Sequence, residues 1–169
     1  ANQFLDPFVV MRGVGRSDVA YLAAAKSMRK RLVGGLARLL RSIPVERTQD
    51  LAFKGTGTIW LSPEDGVSLQ GRGTRFSSQL HAGDTVPWAG ASAKVDTVES
   101  DERCTLRGVV ESPTADFAQF TVLPHVDQSE MFSAVYAALD EGKAVGIFPE
   151  GGSHDRASLL PLKAGIGIM

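Results

Sequence analysis

The spacing of apolar and polar residues predicts a long helix in the first quarter of the chain. The predicted helix covers residues 17–41, with Ser17 or Asp18 as its cap and Gly34-Gly35 as the point where it could break. Its apolar stripe consists of Leu22, Met28, Leu32, Leu36 and Leu39. Six basic residues fill much of the remainder: Lys26, Arg29, Lys30, Arg31, Arg38 and Arg41. Two interpretations stay open: a solvated basic face over a packed stripe, or an interfacial helix that faces anionic lipid or CoA phosphates.

The middle of the chain has a different pattern. From about residue 55 to 125, short β-prone pieces alternate with Gly, Pro, Ser and Asp turns, which predicts a β-rich module. Strands are expected at residues 58–61, 67–69, 93–98, 105–110 and 117–122.

The flanks of this module return to an alternation of helices and strands. A helix is predicted to begin at Pro7, and a strand over residues 43–47. A second helix is expected at 128–141 with Met131, Val135 and Leu139 on one stripe, followed by a buried strand at 144–148. This order favours an α/β fold, a sheet flanked by helices and interrupted by a β-rich insertion. Such folds bind ligands just beyond the C-terminal ends of strands, where Arg47 and Glu150 would lie.

Charge and cysteine content narrow the function classes. The net charge of the 169 residues is −1, which gives no case for nucleic acid as a partner. Residues 16–47 carry eight Lys/Arg and two acidic residues, whereas residues 48–150 carry seven basic and fifteen acidic ones. The single cysteine, Cys104, excludes an internal disulfide and a cysteine-rich zinc site. No run of about 18 apolar residues predicts a transmembrane helix.

One segment near the C-terminus combines groups that could carry chemistry. The predicted strand ends in Phe148-Pro149-Glu150-Gly151-Gly152, followed by Ser153-His154-Asp155-Arg156. Glycines let a ligand approach the backbone, and Arg156 and Lys163 can hold a phosphate. The alternative is a strand-end turn with a solvated polar tip.

This segment resembles the third signature block of the glycerolipid acyltransferases, a superfamily of bacterial-type phosphate acyltransferases. Residues 148–165 are similar to the branch of fungal glycerol-3-phosphate / dihydroxyacetone-phosphate acyltransferases. Asn2–Pro7 resembles the aspartate end of the first block, Ala24–Ser27 the segment after it, and Ile43–Asp50 the second block. The resemblance runs from Asn2 to Gly165, so we expect one partial acyltransferase domain over residues 1–169, truncated at both ends.

The resemblance implies a histidine general base and an aspartate separated from it by four residues. Asp6 matches the aspartate, which orients the imidazole and stabilises its charged form. Counting back by that spacing reaches Ala1. Either Ala1 replaces the base, or the base precedes this sequence; we prefer the second and expect this polypeptide alone to be inactive.

The resemblance also implies a phosphate site. Arg47 would bind the phosphate of the acceptor, Glu150 would support that site, and Gly151 belongs to the same turn. Simpler members continue the third block with Thr-Arg, where this chain has Gly152-Ser153, so Arg156 is a candidate replacement for the missing arginine. Lys163 is a further candidate phosphate ligand, with a structural role as its alternative.

The function implied is transfer of a fatty acyl group from acyl-CoA to the sn-1 hydroxyl of glycerol 3-phosphate or dihydroxyacetone phosphate. No metal or other cofactor is implied; membrane lipid is an expected partner and the endoplasmic reticulum membrane the expected location. Two alternatives stay open: a 1-acylglycerol-3-phosphate acyltransferase, and a non-catalytic acyltransferase-like domain that binds lipid or CoA.

A lone His81 or His125 is expected to be a surface or turn residue, and the sequence does not assign Trp60 or Trp88 to core or interface.

Overall fold

A computed structural model of the protein describes residues 6–29, 31–111, 116–147 and 158. Its elements in chain order are α1 (Asp6–Val14), β1 (Val19–Ala24), α2 (Ala25–Met28), α3 (Arg31–Leu39), β2 (Ile43–Val45), a 3-10 helix (Thr48–Asp50), β3 (Phe53–Lys54), β4 (Thr58–Leu61), β5 (Ser68–Arg72), α4 (Phe76–Gln79), β6 (Thr85–Trp88), β7 (Ala91–Ser100), β8 (Arg103–Leu106), β9 (Thr121–Val122), α5 (Ser129–Asp140) and β10 (Ala144–Gly146). The mixture of helices and sheets confirms the α/β class. The chain divides into two compact units, Ala1–Glu46 with Gln128–Met169, and Arg47–Asp127.

The first unit is built on a parallel sheet with β1 at its centre. In the described residues the strand order is β10-β1-β2. The first half of β1 pairs with β10, Val19 opposite Ala144, and the second half pairs with β2, Leu22 opposite Ile43. Helix α5 packs on this sheet, where a small core joins Ala20, Ile43, Val135 and Ala138 with the partly buried Leu22, Met131 and Val145. Because all three strands run in one direction, their C-terminal ends lie at the same edge.

The single helix predicted over residues 17–41 is wrong. The chain forms β1 first, then the short α2, and then α3, which runs through Gly34-Gly35 without a break. Leu22, which matched the helical stripe, lies in a strand. The continuous apolar run 19–24 fits a strand of a parallel sheet, because the faces of parallel sheets are covered by other elements and need few polar residues. Only the neighbouring strands, which lie far along the sequence, select this state over a helix.

The predicted helix at 128–141 and the strand at 43–47 are confirmed, with shifted details. Helix α5 buries Val135 and Ala138, whereas Leu139 from the predicted stripe is 48% exposed. The face against the sheet therefore runs through residues 131, 135 and 138. Strand β10 ends at Gly146, and Phe148, the predicted strand end, lies outside the described residues.

The ends of the first unit's elements are tied by two polar contacts. The Tyr21 hydroxyl donates to the Pro7 carbonyl at 2.9 Å, which fixes the start of α1 on β1. Arg16 contacts the Asp18 carboxylate at 2.6 Å and donates to the Gly142 carbonyl at 2.8 Å, which links the loops before β1 and β10. The Arg16 hydrogen bond lowers the pKa of Asp18 to about 2. The Arg16 contacts hold the sheet at its N-terminal edge.

The second unit is an antiparallel sheet that closes on itself. The described strands have the order β4-β5-β8-β7-β6. The segment before and within β9 then pairs with both outer strands: Ala118 bridges Ile59 of β4, while Phe120 and Leu123 bridge Trp88 and Thr85 of β6. Strand β9 also pairs with β3. Closure into a barrel leaves these outer strands with hydrogen-bonding partners instead of open edges.

The barrel encloses the larger of the two cores. Its buried members are Ile59, Leu61, Leu69, Phe76, Leu80, Val86, Trp88, Ala93, Val95, Cys104, Leu106, Phe120 and Val122. Strands β4, β5, β7, β8 and β9 overlap the expected segments, whereas β3 and β6 are absent from the prediction. Strand β6 contains Pro87, which cannot donate to a ladder and so weakens a strand pattern.

Asp84 is a buried carboxylate at the entry of β6. Its side chain is 5% exposed. One oxygen accepts the backbone N–H of His81 at 2.8 Å and the other accepts that of His125 at 2.7 Å. The carboxylate therefore joins two chain segments that are 44 residues apart in sequence, His81 and His125.

Replacing Asp84 with alanine is expected to lower the free energy of unfolding by about 1–3 kcal/mol or more, because it leaves buried N–H groups without an acceptor. Urea unfolding followed by tryptophan fluorescence measures this. The control is Asp96→Ala, since Asp96 forms only an exposed pair with Arg107 at 3.5 Å, worth about 0–1 kcal/mol. Equal effects of the two substitutions would contradict the role of Asp84.

The two adjacent glycines of α3 are expected to respond oppositely to alanine. A methyl group on Gly34 would collide with the carbonyl oxygen of Met28, whereas one on Gly35 would meet nothing within 4 Å. Gly34→Ala should destabilise the protein by about 1–3 kcal/mol because backbone must move. Gly35→Ala should stabilise it by up to about 1 kcal/mol through helix propensity. Thermal unfolding distinguishes them, and a shift of the same sign in both variants would contradict the packing of α2 on α3.

Candidate functional site

Several predicted site segments begin just after the C-terminal ends of strands in the parallel sheet. Strand β1 passes directly into α2 after Ala24. Strand β2 ends at Val45, two residues before Arg47. Strand β10 ends at Gly146, and Ile147 then leads into the glycine-rich segment that begins at Phe148. The register puts Gly146 opposite Tyr21, and Val45 opposite Ala24 at the end of β1.

Glu46 fixes the chain immediately after β2. Its carboxylate accepts a hydrogen bond from the Arg29 guanidinium at 3.1 Å, and its carbonyl accepts one from the Gln128 side chain at 2.9 Å. These contacts join the end of β2 to the end of α2 and to the start of α5. The backbone that leads into Arg47 is thus held from two sides.

Arg47 has a defined orientation. Its Nε donates to the Asp50 carboxylate at 2.7 Å, across the first turn of the 3-10 helix that Arg47 precedes. The Arg47 side chain is 44% exposed and that of Asp50 only 17%. Among the described residues the contact through Nε holds the guanidinium by one edge. A guanidinium held by one edge can still bind a phosphate through the other.

Asp50 is the residue of this site that sequence reasoning missed. It lies inside the stretch that resembles the second block, but no role was derived for it. The available signal was its position three residues after Arg47, which allows a local ion pair. The ion pair between Arg47 and Asp50 becomes evident only in the structure, where the 3-10 helix brings the two side chains together.

The other predicted site residues are not placed together by the structure. The backbone of Asp6 begins α1, and its side chain lies outside the description. Glu150, Gly151, Arg156 and Lys163 lie outside the described residues, as does His154. Their roles stay predictions.

The remaining chemistry-bearing residues have structural positions. His81 and His125 are exposed turn residues, as expected. Trp88 is a core residue, 3% exposed, whereas Trp60 is half-buried beside Phe117, with ring centroids 6.3 Å apart. Cys104 is fully buried in the barrel. In the described ranges no group of three or more His, Cys, Asp or Glu side chains is arranged to hold a metal ion.

No helix within the described part of the chain is both long and apolar enough to cross a bilayer.

Comparison with known proteins finds relatives along the whole chain. It is 40% identical over 185 aligned residues to an uncharacterized acyltransferase of Schizosaccharomyces pombe. It is 36% and 32% identical to glycerol-3-phosphate O-acyltransferases 1 and 2 of Saccharomyces cerevisiae. Each alignment covers 100% of this chain but only 24–27% of the relative, so the chain spans about a quarter of their length. No family model and no solved structure matches.

Cys104 is expected to be inert in the folded protein. Burial raises the pKa of its thiol to about 12, and the nearby Glu99 adds to the rise. At pH 8 a thiol reagent should react with Cys104 only after unfolding, because the thiolate is the nucleophile. An unfolded thiol ionises near pH 9.0, so the stability linked to this group is complete below that pH and is lost as the pH rises toward 12. Rapid labelling of the native protein at pH 8 would contradict this assignment.

Proposed function

Because the chain is homologous over its whole length to a segment of fungal acyltransferases, two of them glycerol-3-phosphate O-acyltransferases, we propose that the protein containing it transfers a fatty acyl group to glycerol 3-phosphate. We propose acyl-CoA as the donor and the sn-1 hydroxyl as the position acylated, with dihydroxyacetone phosphate as the alternative acceptor. The observation that supports this most is the alignment, which covers the whole chain at 36% identity, together with the order of the three signature-like blocks.

In the proposed reaction the acceptor hydroxyl attacks the thioester carbonyl. The new C–O bond forms, the C–S bond breaks, and the hydroxyl proton passes through a histidine general base to the leaving thiol of CoA. Asp6 would orient that imidazole and stabilise its charged form. No metal or redox cofactor takes part. A full-length protein without this histidine would instead be the non-catalytic binding domain.

Arg47 would hold the acceptor by its phosphate. Its half-exposed side chain is kept in place by Asp50 through Nε, and its two Nη groups would form a bidentate contact with phosphate oxygens. We propose that Glu150, Gly151, Arg156 and Lys163, which follow β10 in sequence, complete this site. The order of the second and third signature-like blocks in the sequence supports this assignment.

We further propose that the protein works at the endoplasmic reticulum membrane, where membrane lipid is a partner. The lysophosphatidate-type product is an amphiphile, which supports synthesis at a lipid surface. Fractionation of cells that express the tagged full-length protein tests this location.

The function is tested by an acyl transfer assay on the full-length protein. Labelled palmitoyl-CoA is supplied with glycerol 3-phosphate, dihydroxyacetone phosphate or lysophosphatidate in parallel. We expect product from one or both of the first two acceptors. Product from lysophosphatidate alone would replace the proposal by phosphatidate synthesis, and no product from any acceptor would support the binding domain.

Replacing Arg47 with alanine should raise the KM for glycerol 3-phosphate by roughly 10- to 100-fold, since a hydrogen bond to a charged group contributes about 1.5–3 kcal/mol. The KM for palmitoyl-CoA should change little. Arg103→Ala is the matched control, because Arg103 is an exposed arginine of the same unit, on β8. An unchanged KM for glycerol 3-phosphate in the Arg47 variant would remove Arg47 from the site.

A further inference from the structure

A groove of about 280 Å³ lies where α2 meets α3 in the first unit. Its lining consists of three arginines, two glycines and one methionine: Met28, Arg29, Arg31, Gly34, Gly35 and Arg38. None of these described lining residues is acidic. None of these residues belongs to the phosphate site proposed for the acceptor.

Gly34 and Gly35 shape the groove because neither carries a side chain. Gly34 lies so close to the Met28 carbonyl that it has no room for a side chain, which brings the backbones of α2 and α3 together. Gly35 is exposed, and a Cβ there would meet nothing within 4 Å. The floor of the groove is therefore open backbone, and a ligand can approach it closely.

The arginines give the groove its positive charge. Arg29 is paired with Glu46, but Arg31 and Arg38 are exposed and have no ion pair within the described ranges. They are seven residues apart on one helix, so they share a face and are separated by about 10 Å along its axis. The groove thus has a positive charge near each end and the open glycine between them.

We propose that this groove binds the 3′-phosphoadenosine 5′-diphosphate end of the acyl-CoA donor, an inference that rests on the function proposed above. That group presents two anionic positions, the 3′-phosphate and the 5′-diphosphate, separated by a ribose. Two arginines at opposite ends of an open groove match two separated phosphates. A lipid head group at a flat surface, in contrast, needs neither a concave floor nor two separated charges.

The test uses the full-length protein with glycerol 3-phosphate and either palmitoyl-CoA or palmitoyl-dephospho-CoA, which lacks the 3′-phosphate. Arg31→Ala/Arg38→Ala should raise the KM for palmitoyl-CoA by about tenfold or more while the KM for glycerol 3-phosphate stays unchanged. The wild type should prefer palmitoyl-CoA to the dephospho donor, and the double variant should lose much of that preference.

Two further variants test whether the shape of the groove matters, and whether an arginine outside the groove affects donor binding. Gly35→Leu fills the groove without removing charge and should also raise the KM for palmitoyl-CoA, because the side chain projects into open space. Arg12→Ala removes an exposed arginine of α1, outside the groove, and should leave both donor KM values unchanged. Circular dichroism melting of each variant checks that the fold is retained.

The outcomes are distinguishable. If the wild type gives no product with any CoA thioester, the proposed function fails. If the wild type is active and the groove variants keep their KM for palmitoyl-CoA and their preference over the dephospho donor, the groove inference is overturned. Loss of binding to phosphatidylserine vesicles, with donor KM unchanged, would assign the groove to anionic lipid and also overturn it.

Discussion

Strand pairing on both sides of β1 is the constraint on which the first unit depends. Its two halves pair with different strands, one just after α3 and one more than a hundred residues later. Parallel pairing brings the ends of β1, β2 and β10 to one edge. Arg47 therefore follows one strand of this sheet and the glycine-rich segment follows another. This pairing supplies the backbone hydrogen bonds that stabilise the apolar run 19–24 in an extended conformation.

Between β2 and α5 the chain must accommodate a long β-rich stretch without leaving open sheet edges. It does so by closing the antiparallel sheet through the segment around β9, which bonds to both outer strands. A closed barrel satisfies its own backbone groups and buries its own apolar residues, as the separate core of the second unit shows. The buried Asp84 carboxylate also satisfies backbone groups of this unit, since it accepts hydrogen bonds from two backbone N–H groups.

Charge is used differently in the two units. In the first unit Arg29 pairs with Glu46, while Arg31 and Arg38 have no ion pair among the described residues and lie beside the open backbone of Gly35. At the start of the second unit Arg47 is oriented by Asp50 without being buried. An arginine that is held but exposed keeps donors for a ligand, whereas a fully paired one stabilises the chain. The local pairing, more than the basic composition, therefore identifies the cations suited to bind phosphate.

The sequence by itself determined the class, the position of α5 and β2, most strands of the barrel, and Arg47 as a candidate, because each of these follows from local periodicity or a short motif. The tertiary structure decided that residues 19–24 form a strand, since an apolar run suits a helix as well as a doubly paired strand and only its partners choose. It also decided the closure of the barrel, the pair between Arg47 and Asp50, and the groove around Gly35. These depend on distances between residues or backbones that local periodicity does not encode.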